Sequence, residues 1–93
     1  MNLPSVEALE SRHSFPCEYT FKVIGSADDN FLARVIGSVR DELRLKEDPP
    51  FRLKSTKNGQ HVSITLEPIM ENAQQVLAVY SRISQTSGLI MLL

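Results

Sequence analysis

Hydrophobic and polar positions change their period several times along this chain, and each change predicts an element. From Cys17 the pattern alternates: Cys17, Tyr19, Phe21 and Val23 point one way, and Glu18, Thr20, Lys22 and Ile24 the other. That is the period of a half-buried strand, and Gly25 ends it. Beyond it, Leu32, Val35, Ile36, Val39 and Leu43 recur at steps of three and four, which predicts a helix to about Leu45 with one apolar stripe. Ser26 or Asp28 is its expected cap, with Asp28 and Asp29 near the first turn, where negative charge is favoured. Gly37 in its middle costs ~1 kcal/mol relative to alanine, so close packing of the helix on a sheet is expected there. Lys46 suits the helix end, and Pro49 and Pro50 forbid continuation.

The next unit is a hairpin. Phe51 to Lys57 and Gln60 to Glu67 flank Asn58-Gly59, the pair favoured by a two-residue type I′ turn, in which both central residues take positive φ. Pairing Lys57 with Gln60 sets Phe51 opposite Leu66, Leu53 opposite Ile64 and Ser55 opposite Val62 on one face. Arg52, Lys54, Thr56, His61, Ser63 and Thr65 then share the other face, so turn chemistry and hydrophobic pattern agree. Pro68 is expected to open a second helix, with the stripe Ala73, Val76, Leu77, Tyr80 and Ile83, and Ser87-Gly88 to stop it. Leu89 to Leu93 form a short last strand, apolar on both faces. Residues 1–14 carry only Leu3, Val6 and Leu9 as spaced apolar positions and read as an N-terminal arm, with at most a turn or two of helix from Ser5.

The order strand, helix, strand, strand, helix, strand over residues 15–93 predicts a single ferredoxin-like βαββαβ domain of the α+β class. Both helices lie on one face of a four-stranded antiparallel sheet, and the first strand is central in the order fourth, first, third, second. Phe21, Val23, Leu53, Val62, Ile64 and Leu66 belong to the covered face. The last strand leaves one apolar set pointing away from the helices; either it is a contact surface, or the arm folds over it.

Composition narrows the function classes. The 93 residues make one small domain with a thin stability margin, so a partner or a homodimer is one expectation. With 42% apolar and 23% charged residues the chain is globular, and its net charge of −1 supplies no long-range field for nucleic acid or an anionic membrane. The one cysteine, Cys17, excludes an internal disulfide or a CxxC site. No secretory signal or spanning segment is evident, which makes the cytoplasm the default location.

No motif for nucleophilic catalysis, zinc hydrolysis or phosphate binding occurs, His13 and His61 are far apart in the predicted elements, and no catalytic residue, metal site or cofactor is expected. The element order is also that of an RNA-binding RRM, but the positions of its base-stacking aromatics fall here on Thr20, Lys22, Ser63 and Thr65, so nucleic-acid binding is not expected.

Phe15-Pro16, Lys22-Val23-Ile24-Gly25, Ser55 to Lys57 and Val62-Ser63-Ile64-Thr65, within a pattern running from Phe15 to Leu93, resemble the YbeD-like family of small bacterial proteins of unknown function. The tip Lys57-Asn58-Gly59-Gln60 departs from that family's usual Lys-Gly turn. The resemblance implies a fold similar to the ACT domain, a module that senses small molecules. Two functions follow as expectations. One is a non-catalytic regulatory domain binding a small metabolite at the turn Gly25, Ser26, Ala27 and Asp28, where glycine admits a ligand to the backbone and N–H groups at a helix start accept a carboxylate. The alternative is a protein-interaction adaptor, using Lys22, Arg52, Lys54 and His61 of the open sheet face or Leu89 and Met91 of the last strand.

Overall fold

The computed structural model describes residues 3–28, 30–56 and 58–93. In chain order its elements are α1 (Val6–Arg12), β1 (Cys17–Glu18), β2 (Phe21–Ser26), α2 (Phe31–Leu43), β3 (Phe51–Ser55), β4 (His61–Leu66), β5 (Ile69–Met70), α3 (Ala73–Ser84) and β6 (Leu89–Leu92). The main sheet is antiparallel with the order β3-β4-β2-β6, as the connection rules require, and β1 pairs with β5 in a separate small ladder.

The hairpin register is the expected one: Phe51 faces Leu66, Leu53 faces Ile64 and Ser55 faces Val62. Its tip is built differently. Gly59 of the Asn58-Gly59 pair takes positive φ, at 69°. Its N–H donates to the Thr56 carbonyl at 2.9 Å, and the Thr56 N–H donates to the His61 carbonyl at 2.9 Å. The loop is therefore longer than a two-residue type I′ turn; the expected partnership of Lys57 with Gln60 lies outside the described residues.

Two other expectations are corrected. The first strand is interrupted, because the Tyr19 N–H leaves the sheet to donate to the Pro68 carbonyl at 3.0 Å. Pro68 correspondingly precedes β5 rather than opening α3. That helix starts at Ala73, where the Asn72 side chain accepts from the Gln75 N–H at 2.8 Å and the Gln75 side chain reaches back to the Glu71 N–H at 2.7 Å, a reciprocal cap. The delay places Met70 in the core.

One sheet face supplies Phe21, Val23, Ile64 and Leu66 to that core. α2 covers them with Phe31, Val35, Ile36 and Val39, and α3 with Ala73, Val76, Val79, Tyr80 and Ile83. Leu53 shares this face with Ile64, yet it is 48% exposed, because β3 is the sheet edge and neither helix reaches over it. The expected arm holds α1, capped by Ser5 accepting from the Ala8 N–H at 3.0 Å. It packs against α3 and buries Leu9, leaving the outward side of β6 bare.

Gly37 also departs from expectation. A Cβ built there would meet only the Arg40 guanidinium, at 3.5 Å, an ordinary contact, so no close packing requires the glycine. Gly37→Ala is expected to stabilise the domain by ~1 kcal/mol and to raise its thermal midpoint by roughly 4–8 °C, which a melting curve followed by circular dichroism would register.

Candidate functional site

The turn from Gly25 to Asp28 follows β2 at the centre of the sheet, but its groups are committed to the fold. A Cβ on Gly25 would lie 2.1 Å from the tip of the Phe31 ring, so the glycine there makes room for a core aromatic and not for a ligand. The backbone N–H groups are also taken. Ser26 donates to the Gly88 carbonyl at 2.9 Å and Ala27 to the Gln60 carbonyl at 3.0 Å. The Ser26 hydroxyl accepts from the Asp28 N–H at 3.3 Å.

Asn30 occupies the N-cap position of α2 without a side-chain capping bond. Asp28 does that work from outside the helix, its Oδ1 accepting from Asn30 N–H at 2.8 Å and Phe31 N–H at 3.1 Å while its Oδ2 meets Arg34 at 3.1 Å. The hydrogen bond from the Asn30 backbone, helped by the Arg34 guanidinium, holds the Asp28 carboxyl below its usual range. The folded state thus binds the Asp28 proton less readily than the unfolded chain does. Its contribution is present above the ordinary carboxylate range and is lost as pH falls through the lowered folded value. Asp28→Ala is expected to lower the thermal midpoint at pH 7 and to flatten the acid side of a plot of midpoint against pH; an unchanged acid side would remove Asp28 from that role.

Near the start of β2 the Tyr19 and Tyr80 hydroxyls lie 3.0 Å apart, and Phe21 packs edge-on against Tyr80 with ring centroids 4.9 Å apart. Burial, then the bond to Tyr19, pushes the Tyr80 hydroxyl pKa upward, so Tyr80 stays neutral. The Tyr19 hydroxyl thus ties the link between β1 and β2 to α3, and Phe21 ties β2 itself. Among the described residues no group of three His, Cys, Asp or Glu side chains is placed to hold a metal ion.

The open sheet face does gather most of the expected contact residues. Lys22 lies opposite Thr65, Ser26 opposite His61, Arg52 opposite Thr65 and Lys54 opposite Ser63, all with the same orientation. Met91 faces Ile24 across the β2–β6 ladder, and Leu93 exchanges both backbone hydrogen bonds with Lys22, at 3.1 and 2.8 Å, which brings an apolar strip beside the basic positions. Leu89 does not join it. A register shift between Ile24 and Gly25 pairs Leu89 with Gly25, turning it toward the core, where it is half-buried.

Arg52 is tied to Glu67 at 2.5 Å, whereas Lys22 and Lys54 form no ion pair among the described residues. At the edge of the strip Ile90 is 55%, Met91 48% and Leu93 59% exposed. The period-two pattern of the last strand already signalled an uncovered apolar side, but the bulge that selects its members leaves no mark in the sequence. On the opposite side of the sheet, a groove of about 400 Å³ between α2 and β3 is lined by Leu32, Ile36 and Phe51 and closed by the Arg40–Asp48 ion pair. Among the described residues no helix is long and apolar enough to cross a membrane.

Comparison with known proteins agrees with this architecture. A UPF0250 protein of Buchnera aphidicola is 27% identical over 79 residues, covering 85% of this chain and 88% of that protein. UPF0250 protein PM1928 of Pasteurella multocida is 29% identical over 79 residues with the same coverage, and a UPF0250 protein of Haemophilus ducreyi is 26% identical over 92 residues, covering 99% of this chain and 92% of its own length. Among solved structures, the solution structure of protein HP0495 from H. pylori matches with a TM-score of 0.62 at 19% identity, covering 100% of this chain and 97% of that one, which shows a shared ferredoxin-like, ACT-like fold. The family described as "Protein of unknown function (DUF493)" matches residues 10–93. The resemblance carried by the strand and hairpin motifs is thereby borne out, and with the match running from within α1 through β6, the chain belongs to the DUF493 family of bacterial proteins.

Proposed function

We propose that this domain is a non-catalytic adaptor that takes an extended, apolar segment of a partner protein, carrying acidic residues, along β6 and the adjoining open face. The observation that carries this reading is the bare, uncharged edge of β6. Leu89 to Leu93 contain no charge or proline, the usual devices that keep an edge strand unpaired. The opposite edge, β3, carries Arg52 and Lys54. A strand added to β6 would bond to free main-chain groups and cover Met91 and Leu93, the arrangement of β-augmentation. Lys22, next to this strip and without an ionic partner among the described residues, favours acidic residues in the incoming segment.

A small-metabolite sensor at Gly25 to Asp28 has less support, since Phe31 fills the space above Gly25 and the local N–H groups are bonded within the chain. RNA binding lacks a stacking platform, because the central open-face positions are Lys22, Ile24, Ser63 and Thr65.

The test compares partner capture by the wild type with capture by Met91→Lys and Lys22→Glu, both exposed changes that leave the core intact. A genuine partner, identified from the wild type, should bind each variant at least about tenfold more weakly, as loss of an anchor or a charge pair implies. Its complex should weaken as salt is raised. Equal binding to both variants, at unchanged thermal midpoints, would sink the proposal.

A further inference from the structure

The outer side of the helix layer, away from the open sheet face, holds a polar groove of about 470 Å³ between α2 and the end of α3. Arg34, Gly37 and Ser38 line one side, and Arg82, Gln85 and Thr86 the other. Gly37 forms part of its wall. Its φ is not positive, and a Cβ there would meet only Arg40, so neither backbone conformation nor packing asks for glycine inside this helix. What any larger side chain at position 37 would occupy is groove volume.

We propose that this groove binds a small molecule through a single carboxylate, placed between Arg34 and Arg82. Arg34 is held ready: its Nη2 donates to Asp28 Oδ2 at 3.1 Å and to the Ser87 carbonyl at 3.0 Å, anchoring the guanidinium where the turn after α3 meets α2. Its Nε is buried and has no hydrogen-bond partner among the described residues. Across the groove, Arg82 is bound only loosely, with its Nε 3.7 Å from the Glu42 carboxylate. Guanidinium groups match the planar, two-oxygen geometry of a carboxylate.

The acidic side of the groove defines the ligand's charge. Asp41 also lines it, and the carbonyls at the end of α3 add negative potential, so a second negative charge on the ligand is opposed. A monocarboxylate fits better than phosphate or sulfate. The remainder of such a molecule would be uncharged and polar, facing Gln85 and Thr86.

The test is a titration of the isotope-labelled protein with N-acetylglycine, and separately with phosphate and sulfate, followed by NMR at constant ionic strength. Saturable shifts are expected at the amides of Gly37, Ser38, Gln85, Thr86 and Ser87, with a dissociation constant on the order of millimolar for so small a ligand. Arg82→Gln should weaken binding about tenfold. Gly37→Leu, a helix-favouring change that fills the groove, should abolish it without lowering the thermal midpoint. Shifts that never saturate, or that are equally large at Lys22, Arg52 and Lys54, would overturn the site. So would shifts that survive Gly37→Leu, or, if Gly37→Leu does not fold, an unchanged dissociation constant in Arg82→Gln; a tighter response to phosphate or sulfate would overturn the carboxylate assignment.

Discussion

Gly25→Ala is expected to cost about 3 kcal/mol or more, the upper part of the range for overpacked cores, and to leave a domain of ordinary marginal stability partly unfolded at 37 °C. The added Cβ would sit 2.1, 2.3 and 2.6 Å from three carbons of the Phe31 ring. That ring is completely buried, so it cannot swing aside into solvent. The cause is separable in a double-mutant cycle. Gly25→Ala in a Phe31→Leu background should cost far less than in the wild type, with a coupling of about 1–3 kcal/mol read from urea melts. If Gly25 instead serves only to admit a ligand, Gly25→Ala will leave the melt unchanged, and a purely additive cycle would show that Phe31 is not the obstacle.

Phe21→Ala should be as severe, at ~3–5 kcal/mol, because a large side chain with no exposed surface is removed from a central strand. Phe21 packs against Tyr19 and Tyr80, each with its ring centroid 4.9 Å away, so the deletion also breaks the aromatic contacts joining β2 to α3. Leu53→Ala is the internal control. Leu53 lies on the same sheet face but is 48% exposed, and its loss is expected to cost under about 1 kcal/mol. Comparable urea midpoints for the two variants would contradict the boundary of the core drawn at β3.

Between them, these residues show how far sequence patterns reach. The register of the hairpin was legible because a period-two pattern cannot slip by one residue without turning its apolar set outward. The actual tip is longer than the Asn58-Gly59 pair implied, yet Phe51 still faces Leu66. The sheet order was legible for a similar reason: few short-connection topologies bury one stripe per helix. Of the candidate contact residues, Lys22, Arg52, Lys54 and His61 followed directly from that register.

What distant parts of the chain do to one another was not legible. Gly25 is a glycine because of Phe31, and Phe31 was absent from the expected stripe of α2. Leu89 faces the core, not the open side, because a bulge opposite Gly25 shifts the ladder by one residue. Pro68 precedes β5 because Tyr19 takes its carbonyl. The arm packs on α3 because Leu9 finds space in the core there. The sequence by itself determined the two main helices, the four strands of the main sheet, the hairpin register and the fold, since local periodicity and turn chemistry are carried by neighbouring residues. Only the tertiary structure decided which glycine makes room for the core, which side of β6 stays bare and where α1 docks, because those depend on volume and hydrogen-bond partners supplied from far along the chain.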